Sequence, residues 1–96
     1  MTTGKEKKWA VVIRNMDDDG TECSYPLVWV YDTWEEAHDF CVSDSNAACT
    51  EEQRCFEHLP CIVQHDRQEQ PEDLFTLQLV RDGAVIVQWD CVDIEL

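Results

Sequence analysis

Apolar residues along the chain fall into strand-like and helix-like blocks. Residues 8–16, Lys-Trp-Ala-Val-Val-Ile-Arg-Asn-Met, are rich in β-branched and aromatic side chains and predict a strand. Residues 25–31, Tyr-Pro-Leu-Val-Trp-Val-Tyr, predict a second. Pro26 near its start marks an edge or an entry point, because proline brings no N–H to a ladder. Between them Asp17-Asp18-Asp19-Gly20 is turn chemistry, so the two strands are expected to pair as a hairpin with a long loop. The clearest pattern is at the other end. Residues 74–81 and 84–92 alternate in polarity around Asp82-Gly83, the strongest short hairpin signal. Phe75, Leu77 and Leu79 share one face, as do Val85, Val87, Trp89 and Cys91 on the returning strand.

The middle of the chain switches to a helical period. Thr33 and Glu36 have capping-box spacing, and Trp34, Ala37 and Cys41 recur at i, i+3 and i+7 with Phe40 beside them. Glu35, Glu36 and Asp39 point elsewhere. Residues 43–49, Ser-Asp-Ser-Asn-Ala-Ala-Cys, read as a linker. Thr50-Glu51-Glu52-Gln53 then reads as a second capping box, opening a short helix to about His58 that Pro60 stops. Cys61-Ile62-Val63-Gln64-His65 predicts a short strand, and 67–73 a polar loop. The expected order is β-β-α-α-β-β-β. This is an α+β fold with an antiparallel sheet of about five strands and two short helices on one face. Residues 1–7 form a polar tail and 8–96 a single domain. A sheet covered on one side would leave Ala10, Val12, Val28, Val30, Ala84 and Ile86 as an apolar second face, and contiguous apolar surface marks an interface.

Length and charge narrow the functions. A chain of 96 residues holds one core, and no run approaches the ~18 apolar residues of a membrane span. The polar N-terminal residues lack the apolar segment of a secretory signal, so a cytoplasmic location is expected. Asp and Glu number 21 against 7 Lys and Arg, a formal charge of −14. Such a chain repels phosphate, which argues against direct nucleic-acid or anionic-membrane binding and favours a basic protein surface as partner. The same charge also serves solubility without any partner.

The six cysteines allow a disulfide scaffold, but the absence of a signal and the adequate apolar core favour free thiols. Cys41 and Cys91 sit at core positions. Cys55, His58, Cys61 and His65 offer zinc-type ligands, yet in no familiar finger spacing and with Pro60 between them. A cysteine nucleophile would need an electropositive setting, the opposite of this one. Asp17-x-Asp19 begins like a calcium loop and lacks the rest of it. There is no phosphate-binding glycine loop and no nucleophile elbow. No catalytic residue, metal or cofactor is therefore predicted.

What remains is the acid content. Side chains four apart on a helix lie ~6 Å apart, close to the phosphate spacing of a nucleic-acid backbone. In size and charge the chain resembles phage-encoded inhibitors of host nucleases and of CRISPR complexes, a resemblance of composition that no motif supports. It implies a non-enzymatic acidic protein that mimics nucleic acid and occupies a basic, nucleic-acid-binding surface of a partner. Asp17, Asp18, Asp19, Glu35, Glu36, Asp39, Glu51 and Glu52 are the expected contacts. The alternatives are a homodimer formed through the apolar sheet face and a small zinc or thiol module around Cys55–His65.

Overall fold

In the computed structural model, which describes residues 7–17, 21–22, 25–67 and 74–95, the chain runs β1 (Lys7–Asn15), β2 (Leu27–Tyr31), α1 (Trp34–Cys55), β3 (Cys61–Arg67), β4 (Phe75–Arg81) and β5 (Ala84–Glu95). The five strands form one antiparallel sheet in the order β2-β1-β5-β4-β3, and the class is α+β. Asp18, Asp19, most of the N-terminal tail and residues 68–73 lie outside the described residues. Strand β1 begins at Lys7, one residue inside the expected tail.

Period-two alternation sets the register. Val11 lies opposite Cys91, and Cys91 opposite Phe75; Ile13 opposite Trp89, and Trp89 opposite Leu77. These residues stand in one face and are all buried, so a shift of one residue would turn each of them to solvent. The turn between β4 and β5 is as expected: Asp82 at φ 52° and Gly83 at φ 83° are the two left-handed residues of a type I′ hairpin. One register detail departs from simple alternation. A bulge between Leu79 and Val80 sets Val85 opposite Val80 and brings Ile86 into the core cluster, reversing the expected faces of Val85 and Ile86.

The larger correction is that one helix of 22 residues replaces two short helices and their linker. The Ser- and Asn-containing stretch was expected to be loop because such residues compete for backbone hydrogen bonds. Here they extend a stripe instead. Ala37, Cys41 and Ser45 recur every fourth residue, are 0–1% exposed, and let the helix seat closely on the sheet. Ser45 Oγ satisfies itself on the Val42 carbonyl at 3.1 Å. The Thr33 cap works as read, its hydroxyl oxygen accepting the Glu36 N–H. Thr50 opens nothing. Gln53 instead ties the helix exit: its amide donates to the Phe56 and Leu59 carbonyls, and its oxygen accepts the Cys61 N–H.

Two polar contacts clamp the layers. Trp89, the largest fully buried side chain, donates its indole N–H to Asp44 on α1 at 2.9 Å. At the far end Arg81 pairs with Glu52 and lies over the Phe56 ring, 4.3 Å from its centre. Near its start the helix is held by Trp34, stacked on His38 at 4.6 Å and edge-on to Phe75 at 6.0 Å.

Two stability outcomes are expected from urea unfolding. Gly83→Ala should cost about 1–2 kcal/mol, because a Cβ at φ 83° is strained although nothing lies within 4 Å of it. Asp44→Ala should cost about 1–3 kcal/mol by leaving the buried Trp89 N–H without an acceptor, and Asp44→Asn should recover most of it.

Candidate interaction surfaces

The eight acids expected to act together are not in one place. Glu35, Glu36 and Asp39 are exposed on the first turns of α1. Glu51 and Glu52 sit in its last turns, about 24 Å further along an axis that rises 1.5 Å per residue. Glu51 pairs with Arg54 at 3.1 Å, and Glu52 faces inward to Arg81. Both are paired within the chain, Glu52 inside the fold and Glu51 at an exposed position. Asp17 is exposed at the far end of β1, its N–H donating to the Thr21 carbonyl.

The cations explain what is left. Lys7 pairs with Asp93, Lys8 with Asp32, Arg14 with Asp90 and Glu22, Arg54 with Glu51 and Arg81 with Glu52. Every Lys and Arg whose side chain is described is thus committed to a carboxylate. Among the described residues none pairs with Glu35, Glu36 or Asp39; only His38, 3.8 Å from Asp39 and charged only when protonated, stands near. Glu35 and Asp39 share a helix face at i, i+4. Their position has a local cause as well, since acids in a first turn complement the helix dipole.

A second surface was not anticipated in this form. Strand β2 is an edge, as Pro26 suggested, but it is bare on both sides. Leu27, Val28, Trp29 and Val30 are 54, 56, 51 and 52% exposed, and only Tyr31 at the strand's end packs against the helix, on Phe40, among the described residues. A run without alternation ordinarily reads as a strand buried on both sides; only its place at the edge makes it the opposite.

The face away from the helix is less apolar than expected. Ala10 and Ile86 are buried. Between the exposed Val28 and Val30 and the exposed Ile62 runs a chain of hydrogen bonds across three strands: Gln64 to Gln78, Gln78 to Gln88, and Gln88 to Asp90. Asp90 also accepts from Thr76 and from Arg14. The recurrence of Gln64, Gln78 and Gln88 on neighbouring strands was the sequence signal for this ladder, invisible until register was known.

The cysteine–histidine series does not converge. Cys61 and His65, four residues apart on β3, are separated by ~13 Å of strand rise, too far to share one ion. No group of three His, Cys, Asp or Glu among the described residues could hold a metal. Cys49 and Cys61 line an open cleft of about 480 Å³ with Thr50, Gln53, Arg54 and Glu57. The five described cysteines are free thiols. No described helix is long and apolar enough to cross a membrane. No family model matches the chain, and no curated protein or solved structure shows significant similarity to it.

Burial pushes the Cys41 thiol up to about 12 and the Cys91 thiol up to about 11, with nearby carboxylates adding to both. Because the folded values lie above the ordinary 9.0, these thiols stabilise the fold below that pH. That stability should be lost as pH rises toward 11–12, where the unfolded thiols are already ionised. Alkylation at mildly alkaline pH, followed by peptide mass spectrometry, should modify exposed Cys55 first and spare Cys41 and Cys91 until the chain unfolds.

Proposed function

We propose that this chain is a non-enzymatic interaction protein that occupies a basic surface of another protein, of the kind that otherwise holds a nucleic-acid backbone. The observation that carries the reading is the group Glu35, Glu36 and Asp39, which among the described residues has no Lys or Arg partner, every Lys and Arg whose side chain is described being paired elsewhere. Glu35 and Asp39 stand four apart on a helix anchored in the core, ~6 Å apart and near the spacing of successive phosphates, while the Glu36 carboxylate accepts from the Thr33 hydroxyl beside them. Asp17, exposed beyond the end of β1, adds negative potential there, which steers association without fixing it. Glu52 is committed to Arg81 within the fold, whereas Glu51 stays exposed in a surface pair with Arg54 and contributes less free charge. Competition with nucleic acid makes the protein an inhibitor, and the phage anti-defence class is the particular form of this reading that size and charge support.

The homodimer reading draws on exposed β2 but meets two obstacles. Each copy carries −14, and the open sheet face is crossed by a polar ladder instead of a continuous apolar surface.

Immobilised full-length chain should capture basic nucleic-acid-binding proteins that are released both by ~1 M salt, where the Debye length falls to ~3 Å, and by added duplex oligonucleotide at low salt. Glu35→Gln/Asp39→Asn should weaken capture. Bound proteins that neither salt nor oligonucleotide displaces, or capture indifferent to that double substitution, would refute the charge-mimic reading.

A further inference from the structure

We propose that β2 is a docking edge for an extended segment of the basic partner, which adds as an additional antiparallel strand beside Leu27–Tyr31 with its own Lys or Arg residues at both ends. The proposal rests on the reading above that the partner is basic, and it assigns the contact to backbone pairing and apolar packing as well as charge.

An edge strand presents alternate N–H and C=O groups to solvent, and proteins ordinarily guard such edges with charge, proline, a bulge or a covering element. The two edges of this sheet differ in that respect. On β3 the register shifts between His65 and Arg67, and Gln64 and His65 are polar. On β2 the five pairs with β1 are unbroken, no residue from Leu27 to Tyr31 is charged, and Pro26 stands just outside. Two of its exposed side chains, Leu27 and Trp29, project on the helix side of the sheet, and Val28 and Val30 on the other. A strand laid alongside would therefore cover apolar side chains above and below the sheet, the arrangement by which added strands gain both affinity and specificity.

Charge decides what the added strand is. Acids without a Lys or Arg partner among the described residues flank both ends of this edge: Asp17 beyond Leu27, and Glu35, Glu36 and Asp39 after Tyr31, while Glu22 and Asp32 beside them are already paired with Arg14 and Lys8. A second copy pairing antiparallel would set the Glu35 end of one edge against the Asp17 end of the other, between chains of −14 each. The edge needs no local guard against self-pairing because the whole molecule supplies one. A segment with apolar alternation and basic ends meets complementary charge at each end instead.

The test uses the full chain and a fluorescent peptide of alternating valine and threonine with lysine pairs at both ends. A control peptide carries glutamates in place of the lysines. Only the lysine-flanked peptide should bind, and isotope-edited infrared spectra of the bound peptide should show strand. Trp29→Glu/Val30→Glu should weaken binding about tenfold, the equivalent of ~1.4 kcal/mol. Those substitutions add negative charge, so an electrostatic contact elsewhere would tighten. Binding that is unchanged or stronger in that variant overturns strand addition while leaving the basic-partner reading intact. Equal binding of both peptides overturns the requirement for basic ends. Failure of both peptides, with light scattering showing a dimer at low salt, overturns the occupant in favour of a second copy. Circular dichroism checks the fold of the variant, and Val28→Glu, on the face of the strand away from the helix, carries the same test should the double variant not fold.

Discussion

The fold depends on how closely α1 can approach the sheet. Ala37, Cys41 and Ser45 present almost no side chain at the contact, and Val11, Leu77 and Trp89 fill the space beneath them. A larger residue at any of the three would lift the helix and open voids along the core, and protein interiors do not tolerate such gaps cheaply. Trp89 is accommodated only because Asp44 meets its indole N–H from the same helix. One helix seated this way suffices for three or four strands. It does not reach over the whole of a fifth, and β2 is the strand left bare.

That geometry and the acidity of the chain have a common consequence. Cations are few, and those described are placed where they stabilise the fold: Arg81 joins α1 to the end of β4, Arg14 anchors Asp90 in the polar ladder, and Lys7 and Lys8 tie β1 to its neighbours. Among the described residues, the carboxylates left without a Lys or Arg partner include Glu35, Glu36 and Asp39 at the start of α1 and Asp17 before β2. Partly exposed pairs of this kind contribute little individually, but their placement determines which carboxylates remain open to a partner. The apolar edge and the acidic flanks arise side by side because β2 runs directly into the first turn of the helix.

Part of this was readable from the residues. The Asp82-Gly83 turn, the Thr33 cap, the faces of Phe75, Leu77 and Leu79, and the edge position announced by Pro26 all rest on local rules that need no tertiary context. The break predicted at 43–49 failed because the tendency of Ser, Asp and Asn to leave helices is weak. Burial of Cys41, Ser45 and Ala48 along one stripe outweighs it. Likewise Thr50-Glu51-Glu52-Gln53 matches a capping box, but Gln53 gains more by binding three backbone groups of the following loop.

Sequence by itself determined the α+β class, the tight Asp82-Gly83 turn, and the excess of negative charge, since each follows from composition or from neighbours a few positions apart. Only the tertiary structure decided that Glu52 turns in to Arg81 while Glu35, Glu36 and Asp39 are exposed without a described Lys or Arg partner, and that Leu-Val-Trp-Val faces solvent instead of a core. Those distinctions depend on which distant residue arrives beside each side chain: Arg81 beside Glu52, and β1 on one edge only of β2. Partners separated by tens of residues leave no local trace.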